Sequence, residues 1–98
     1  MGYRLSRKAE EDLLDVFEQG VLAFGAQQAE DYHRGLEAAF RLIAQFPQMA
    51  RRRTEVAPTV RVHPYRAHII VYRESGKDVF IQRVRHGRED WSSSPSGG

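Results

Sequence analysis

The sequence predicts an α+β fold, in which a short N-terminal strand and an antiparallel two-helix hairpin pack on a small, mainly antiparallel β-sheet. Two observations carry this prediction. In the first half of the chain, apolar residues recur at steps of three and four, the spacing that lines one face of a helix. In the second half, runs rich in branched and aromatic residues (69–72 and 79–84) flank the Ser75-Gly76 pair, which is typical of a β-hairpin.

The composition is that of an ordinary globular domain, with 41% hydrophobic and 29% charged residues among 98. We expect one domain over residues 1–91 and a disordered tail over residues 92–98, because the tail SSSPSGG has nothing to bury. The absence of cysteine excludes disulfides and thiolate chemistry. No apolar run approaches the ~20 residues that cross a bilayer, and no leader is visible, so a soluble, cytoplasmic protein is expected.

Charge is divided unequally between the two halves of the chain. Residues 1–47 hold five Lys or Arg against eight Asp or Glu, a balance of −3, whereas residues 48–98 hold ten against five, a balance of +5. A basic second half would attract an anionic partner, such as nucleic acid or an acidic protein surface. It could equally be a solvated face, and both interpretations stay open at this point.

Two helices are expected in the first half. A strand over residues 3–5 should end at Ser6, whose hydroxyl can cap a helix. The predicted core-facing positions of this first helix are Ala9, Leu13, Val16, Phe17, Gly20, Val21 and Phe24. Leu14 and Leu22 lie off this predicted core face and could serve a partner as well as the core. Gly25 should end this helix, and the second should run from about Ala29 until Pro47 stops it.

The second half should contain an irregular connector and three strands. The connector, residues 48–59, includes three consecutive arginines (51–53) that either form a solvated loop or contact phosphate. Strands are expected at about 60–64, 67–74 and 78–86. Alternation predicts that Arg61 and His63 share one face. In the last strand it groups Phe80, Gln82 and Val84 on one side and places Val79, Ile81, Arg83 and Arg85 on the opposite side.

Several stretches form an ordered set along residues 2–91. They are 3–6 (YRLS), 9–13 (AEEDL), 28–30 (QAE) with Tyr32, 36–40 (LEAAF), 46–47 (FP), 61–66 (RVHPYR), 68–73 (HIIVYR), 83–84 (RV) and 86–91 (HGREDW). This set, and the closing HGREDW in particular, resembles the RelE/ParE toxin superfamily of bacterial toxin–antitoxin modules, and within it the ParE branch. The resemblance implies the same α+β fold.

The resemblance also implies a function. Toxins of this family arrest growth and are held inactive by an antitoxin encoded beside them, here a ParD-like protein whose C-terminal segment lies against the toxin. ParE-like members trap DNA gyrase after strand cleavage, which breaks DNA and blocks replication, and they perform no covalent chemistry. The expectation is therefore a non-enzymatic gyrase inhibitor that needs no cofactor and forms a toxin–antitoxin hetero-oligomer.

Two alternatives stay open. RelE-like relatives cut mRNA on the ribosome, which requires a proton acceptor, a proton donor and cations for the phosphorane charge. His63 or His86 could titrate near neutrality, and the cations could come from Arg61, Arg83 and Arg88. However, Trp91 stands where the nucleases carry a terminal His or Tyr, and an indole cannot perform acid–base chemistry at neutral pH. The other alternative is a diverged, non-toxic member that only binds antitoxin.

Candidate binding residues divide into two overlapping sets. An acidic antitoxin segment could lie in a groove of the helical hairpin and on the basic sheet, which nominates Leu14, Phe17, Val21, Leu22, Leu36, Phe40, Arg61, Arg66, Arg83 and Arg88. Several of the apolar residues in this set must instead be core. Candidates for contact with the target are Arg61, His63, Tyr65, Arg83, His86, Arg88 and Trp91. No metal site is expected, since His63, His68 and His86 lie on different strands without a short i, i+4 pair.

Overall fold

The computed structural model describes residues 2–50 and 60–87. The predictions for the triple arginine, Arg88, Trp91 and the tail therefore lie outside the described residues. The elements follow the predicted order and confirm the α+β fold: β1 (Tyr3–Leu5), α1 (Arg7–Phe24), α2 (Ala26–Gln45), β2 (Arg61–Tyr65), β3 (His68–Ser75) and β4 (Asp78–His86). Within the described ranges, neither helix is long and apolar enough to span a bilayer.

The four strands form one mixed sheet with the order β1-β4-β3-β2. Strands β2, β3 and β4 pair antiparallel, whereas β1 lies parallel to β4 on its other side. The parallel pairing is short and ends where Leu5 faces Ile81. The N-terminal strand thus covers one end of the β4 edge, and among the described residues the rest of that edge has no strand partner.

Ser6 and Gly25 set the two ends of α1. The Ser6 hydroxyl accepts from the backbone N–H of Ala9 at 2.9 Å and donates to the carbonyl of Gln82 at 2.7 Å, so the cap also attaches the helix to β4. Gly25 has a φ of 91°, which favours glycine, and it joins α1 directly to α2. The pairing of Gly20 with Ala29 and of Phe17 with His33 across the interface confirms that the helices run antiparallel.

The hydrophobic core lies between the helical hairpin and one face of the sheet. Helix α2 supplies its largest share, and the fully buried side chains of this layer include Leu36, Phe40, Ile43, Ile70, Tyr72 and Ile81. The Tyr72 hydroxyl donates to the carbonyl of Pro47 at 2.9 Å, which satisfies the one polar atom of that ring. Burial raises the pKa of Tyr72, so the phenol stays neutral in its role as a core residue.

The predicted faces of β4 are wrong in one respect. Val79, Ile81 and Val84 all belong to the core cluster, although strict alternation would place Val84 on the other side. The cause is a β-bulge: Tyr72 lies opposite Ile81 and Val71 lies opposite Arg83, so Gln82 is the extra residue. Beyond a bulge, the alternation of side chains between the two faces is shifted by one residue. No local sequence signal predicts this bulge.

Gly35 is required by the close approach of Tyr65 to α2. A Cβ at position 35 would lie 1.8 Å from the Tyr65 hydroxyl oxygen and 2.9 Å from Cζ of the same ring. Tyr65 is held there by packing on the core and by an edge-to-face contact with Tyr32, with ring centroids 5.3 Å apart. Moving the Tyr65 ring away to make room for a Cβ at position 35 would therefore lose this packing.

We expect Gly35→Ala to lower the free energy of unfolding by about 1–2 kcal/mol, although alanine is the better helix former by ~1 kcal/mol. In a Tyr65→Ala background the same substitution should become stabilising by up to ~1 kcal/mol, because the clash is gone. Urea unfolding of the four proteins in this cycle measures both effects. A stabilising Gly35→Ala in the parent would contradict the close approach.

Candidate functional site

A groove of about 760 Å³ opens between the helical hairpin and the end of the sheet. Its apolar lining includes Val16, Ala29 and Val84. One wall is basic and is formed by the β2–β3 turn and the end of β4, with Arg66, His68, Arg83, Arg85 and His86, whereas α1 contributes Asp12 and Asp15. We call this the basic groove. It combines an apolar lining with cationic side chains, which suits an amphipathic peptide that carries acids.

Arg66 and His86 are candidates that the structure leaves accessible. Arg66 is exposed in the turn between β2 and β3, where it adopts a φ of 51°, and its guanidinium lies 5.8 Å from the Tyr65 ring centroid. His86 is exposed at the end of β4. Both line the basic groove, so the structure brings together one candidate from each of the two predicted sets.

Arg83 has a structural role that the sequence did not indicate. Its guanidinium is bidentate to Asp12 of α1, with Nε 2.7 Å from Oδ2 and Nη2 2.9 Å from Oδ1. Asp12 Oδ2 also accepts the backbone N–H of Val84 at 3.0 Å. The pairing of β1 with β4 ends at Ile81, and Asp12 takes the place of a strand partner for Val84. The prediction that Arg83 is a surface cation is therefore wrong: the residue is 8% exposed.

Arg61 is likewise an internal cation. It is 9% exposed, donates to the carbonyl of Ala50 at 2.7 Å, and pairs with Glu74 through Nε at 3.3 Å and Nη2 at 3.1 Å. Arg61 and His63 lie opposite the core residues Tyr72 and Ile70, so they face the helices and not the solvent. His63 is half-buried, and its burial lowers its pKa, which favours the neutral imidazole.

The basic groove also contains a chain of rings that the sequence did not bring together. The Tyr32 hydroxyl lies 2.7 Å from His68 Nδ1, and the rings of His68 and His86 are 5.4 Å apart between centroids. Burial raises the pKa of Tyr32, so the phenol stays protonated near neutrality and is a poor base. In the described ranges, no three His, Asp or Glu side chains are placed to hold a metal ion together.

The hairpin presents a second surface, an apolar stripe along α1. Leu14, Phe17, Val21 and Phe24 follow one another at steps of three, four and three, so they lie along one side of the helix. Leu14 is 64% and Phe24 is 67% exposed, and the two residues between them are half-buried. Phe24 also lines the basic groove, which makes the apolar stripe and the groove continuous.

The structure resolves which of the predicted groove residues are core. Leu36 and Phe40 are fully buried beneath the hairpin, so they cannot form the surface of a groove, and their nomination is wrong. Leu22 is 82% exposed but lies off the apolar stripe. Phe24 was missed, because its helical phase matches the core-facing stripe. Its position as the last residue of α1 is the signal that could have distinguished it.

Comparison with known proteins gives a consistent result. The family described as the ParE toxin of the type II toxin-antitoxin system, parDE, matches residues 3–91. The chain is 37% identical over 84 residues to Toxin ParE1 of Caulobacter vibrioides, which covers 86% of each protein. It is 32% identical over 89 residues to Toxin ParE1 of Mycobacterium tuberculosis, which covers 90% of this chain and 91% of the relative.

The fold is found among solved structures as well. A chain of the chromosomal ParDE TA system from P. aeruginosa is similar with a TM-score of 0.77 at 22% sequence identity, over 88% of this chain and 95% of that chain. This likeness concerns the fold, whereas the family match rests on sequence and covers both helices and all four strands. The chain therefore belongs to the ParE toxin family of type II toxin–antitoxin systems.

Proposed function

We propose that this protein arrests bacterial growth by trapping DNA gyrase in its cleaved-DNA complex, and that a cognate ParD-like antitoxin neutralises it in a hetero-oligomer. The observation that carries the proposal is the match of the ParE toxin family to residues 3–91. The solved ParDE neighbour supports an antitoxin partner of the ParD kind. In this proposal the protein acts in the cytoplasm by binding gyrase, and it neither makes nor breaks a covalent bond.

The apolar stripe is the proposed seat of an antitoxin helix. Four apolar side chains at helical spacing form a surface that the apolar face of an amphipathic helix can cover. A helix that binds in this way contacts its partner through side chains at positions i, i+3, i+4 and i+7. Leu14 and Phe24 are the most exposed of the four and have the most apolar area to lose to a partner. We expect them to be the anchors of the interface.

The basic groove is the proposed seat of the segment that follows the antitoxin helix. Phe24 connects the apolar stripe to this groove, so one peptide can occupy both in sequence. Acidic side chains of the peptide would meet the wall formed by Arg66 and the end of β4. Such ion pairs raise the association rate and fix the register more than they deepen the affinity, and salt weakens them.

Several features support action by binding rather than catalysis. Arg61 and Arg83, which could have stabilised a phosphorane, are buried in ion pairs with Glu74 and Asp12. The raised pKa of Tyr32 makes its phenol a poor proton acceptor near neutrality. Two of the three cations considered for a nuclease are thus employed in holding the fold together.

Purified protein mixed with gyrase, ATP and supercoiled plasmid tests the target directly. We expect linear DNA to accumulate with toxin concentration after denaturation of the complex, because trapped cleavage intermediates release broken DNA. The antitoxin added in stoichiometric amount should prevent the accumulation. Plasmid that stays uncleaved at saturating toxin, in a preparation that arrests growth on induction, would overturn gyrase as the target.

One observation favours a second candidate, a ribosome-dependent mRNA endonuclease of the RelE type. Tyr32, His68 and His86 are joined in the basic groove, and groups of these types can move protons in RNA cleavage. Programmed ribosomes incubated with the toxin distinguish the candidates: cleavage within the decoding site that His68→Ala abolishes would establish the nuclease. Induction without growth arrest would instead identify a diverged member that only binds antitoxin.

A further inference from the structure

The two layers of the molecule carry opposite charge. Helices α1 and α2 contain eight acidic residues against four basic ones, a balance of −4. The four strands contain five arginines, against which stand only Glu74 and Asp78, a balance of +3. Arg61 and Arg83 are held in internal ion pairs with Glu74 and Asp12. Arg4, Arg73 and Arg85 remain as the strand arginines that can make the face of the sheet that points away from the helices attractive to an anion.

This outer face is identified by the pairing of the strands. Residues directly opposite one another in a sheet point to the same side, and the core-facing pairs include Ile70 with Val84 and Tyr72 with Ile81. Their neighbours, such as Arg73, Phe80 and Arg4, hence point outward. Among the described residues, no helix covers this face, since both pack on the opposite side of the sheet.

Arg4, Phe80 and Arg73 form one row across β1, β4 and β3. The Arg73 guanidinium lies 4.9 Å and that of Arg4 lies 5.8 Å from the centroid of the Phe80 ring, so one aromatic side chain positions two cations. Their charged groups are therefore no more than about 11 Å apart. Cation–π contact leaves the N–H edges of both guanidiniums available to acceptors.

The surroundings of the row are also cationic. Exposed Lys77 lies in the turn that precedes β4, and Arg85 lies on the same face near the other end of the strand, opposite Ile69. Asp78 is the acid on this face within the described ranges, and it accepts the backbone N–H of Gly2 at 3.1 Å. Arginines thus stand at both ends of a strip roughly 15 Å long, at ~3.3 Å per residue.

We propose that this outer face binds the phosphate backbone of duplex DNA, with Arg4 and Arg73 as the principal contacts. A length of ~15 Å along the helix axis corresponds to about four phosphates of one strand at 3.4 Å each, so the row and Arg85, at the two ends of the strip, can contact separate phosphates. Planar guanidiniums match phosphate oxygens, and they would carry no base specificity. The site goes beyond the proposed function, because it requires neither gyrase nor antitoxin.

The row formed by Arg4, Phe80 and Arg73 belongs to neither of the surfaces assigned to antitoxin, although Arg85 also lines the basic groove. The apolar stripe lies on α1 in the other layer, and the basic groove opens on the side of the sheet that faces the helices. A toxin bound to DNA through the row formed by Arg4, Phe80 and Arg73 could therefore hold an antitoxin or a target protein at the same time. DNA binding should be unaffected by substitutions in the apolar stripe.

Fluorescence anisotropy of a labelled 20-base-pair duplex, titrated with toxin alone at 50–200 mM salt, tests the proposal. For the double variant Arg4→Gln/Arg73→Gln we expect the slope of log Kobs against log salt to fall by about 2, and affinity at 50 mM salt to fall on the order of 100-fold. The double variant Arg34→Gln/Arg41→Gln removes the same charge from α2 and should keep the slope of the parent.

A variant that keeps the charge separates electrostatics from folding. Arg4→Lys/Arg73→Lys loses the stacking on Phe80 but should bind duplex DNA within about fivefold of the parent, because phosphate contacts depend mainly on charge. Urea unfolding establishes that each variant is folded. A parental salt slope in the folded glutamine variant overturns the proposal. Tighter binding of a poly-glutamate peptide than of the duplex would also overturn it and would identify an acidic protein as the occupant.

Discussion

Replacing Asp12 by alanine is expected to lower the free energy of unfolding by about 3–5 kcal/mol. The Asp12 and Arg83 side chains are only 12% and 10% exposed, and the carboxylate accepts two N–H groups of the guanidinium and the backbone N–H of Val84. Removing the carboxylate deprives a buried positive charge of its bidentate partner. The loss of the acceptor for Val84 adds the cost of an unsatisfied backbone group.

An effect of this size would be severe in a small domain. Proteins of about 100 residues have a total stability of ~5–15 kcal/mol, so the variant would lose a large fraction of it, and its melting temperature should fall on the order of 20 °C. Thermal and urea unfolding measure the change. Asp15→Ala, one turn further along α1 and exposed, is the matched control and should stay within about 0.5 kcal/mol of the parent.

Asp12→Asn separates the charge from the hydrogen bond. The amide oxygen can still accept from Val84 or from Arg83, but the negative charge is gone, and an intermediate loss of stability is expected. A loss below ~1 kcal/mol for Asp12→Ala would contradict the structural role of the pair. It follows that a loss of toxicity in Arg83→Ala reports first on folding, and that such a variant does not by itself locate a binding site.

The order of the elements could be predicted because each depends on local signals. The Ser6 cap, the break at Gly25 and the stop at Pro47 are features of a few adjacent residues, and apolar periodicity within one element identifies its buried side. The hairpin turn at Gly76, with a φ of 63°, is equally local. These signals place helices and strands but contain no information on which distant side chains meet.

The roles of the arginines could not be predicted for that reason. Arg83 finds its partner 71 residues earlier in the chain, and Arg61 pairs with Glu74 on the neighbouring strand. The sequence nominates both as surface contacts for a partner, since arginine is mostly exposed. The bulge at Gln82 then changed the alternation of β4, which no residue type in that strand signals. Of the basic candidates, Arg66 and His86 are therefore exposed, whereas Arg61 and Arg83 are buried.

The apolar candidates had a similar outcome. Leu14, Phe17 and Val21 stay accessible on α1, whereas Leu36 and Phe40 are core residues. The distinction depends on tertiary packing, which buries six residues of α2 but only two of α1. Amphipathic periodicity finds an apolar face, but it does not tell how much of that face a second layer will cover.

The double variant Leu14→Asp/Phe24→Asp is expected to weaken antitoxin binding by about 4 kcal/mol, close to a thousandfold in Kd. Both anchors of the apolar stripe would be lost, and two negative charges would face an acidic, apolar segment. The substitutions should cost little stability, because the two side chains are 64% and 67% exposed. Isothermal titration of toxin with antitoxin measures the affinity.

The matched control removes another leucine and phenylalanine from the same hairpin. Leu42 and Phe46 are 42% and 59% exposed at the far end of α2, and Leu42→Asp/Phe46→Asp adds the same charge without touching the apolar stripe. This control should bind antitoxin within about fivefold of the parent. In cells, the Leu14/Phe24 variant should arrest growth even when antitoxin is co-expressed, whereas the control should be rescued. Equal weakening by the two variants would mean that charge on the hairpin, and not the apolar stripe, governs neutralisation.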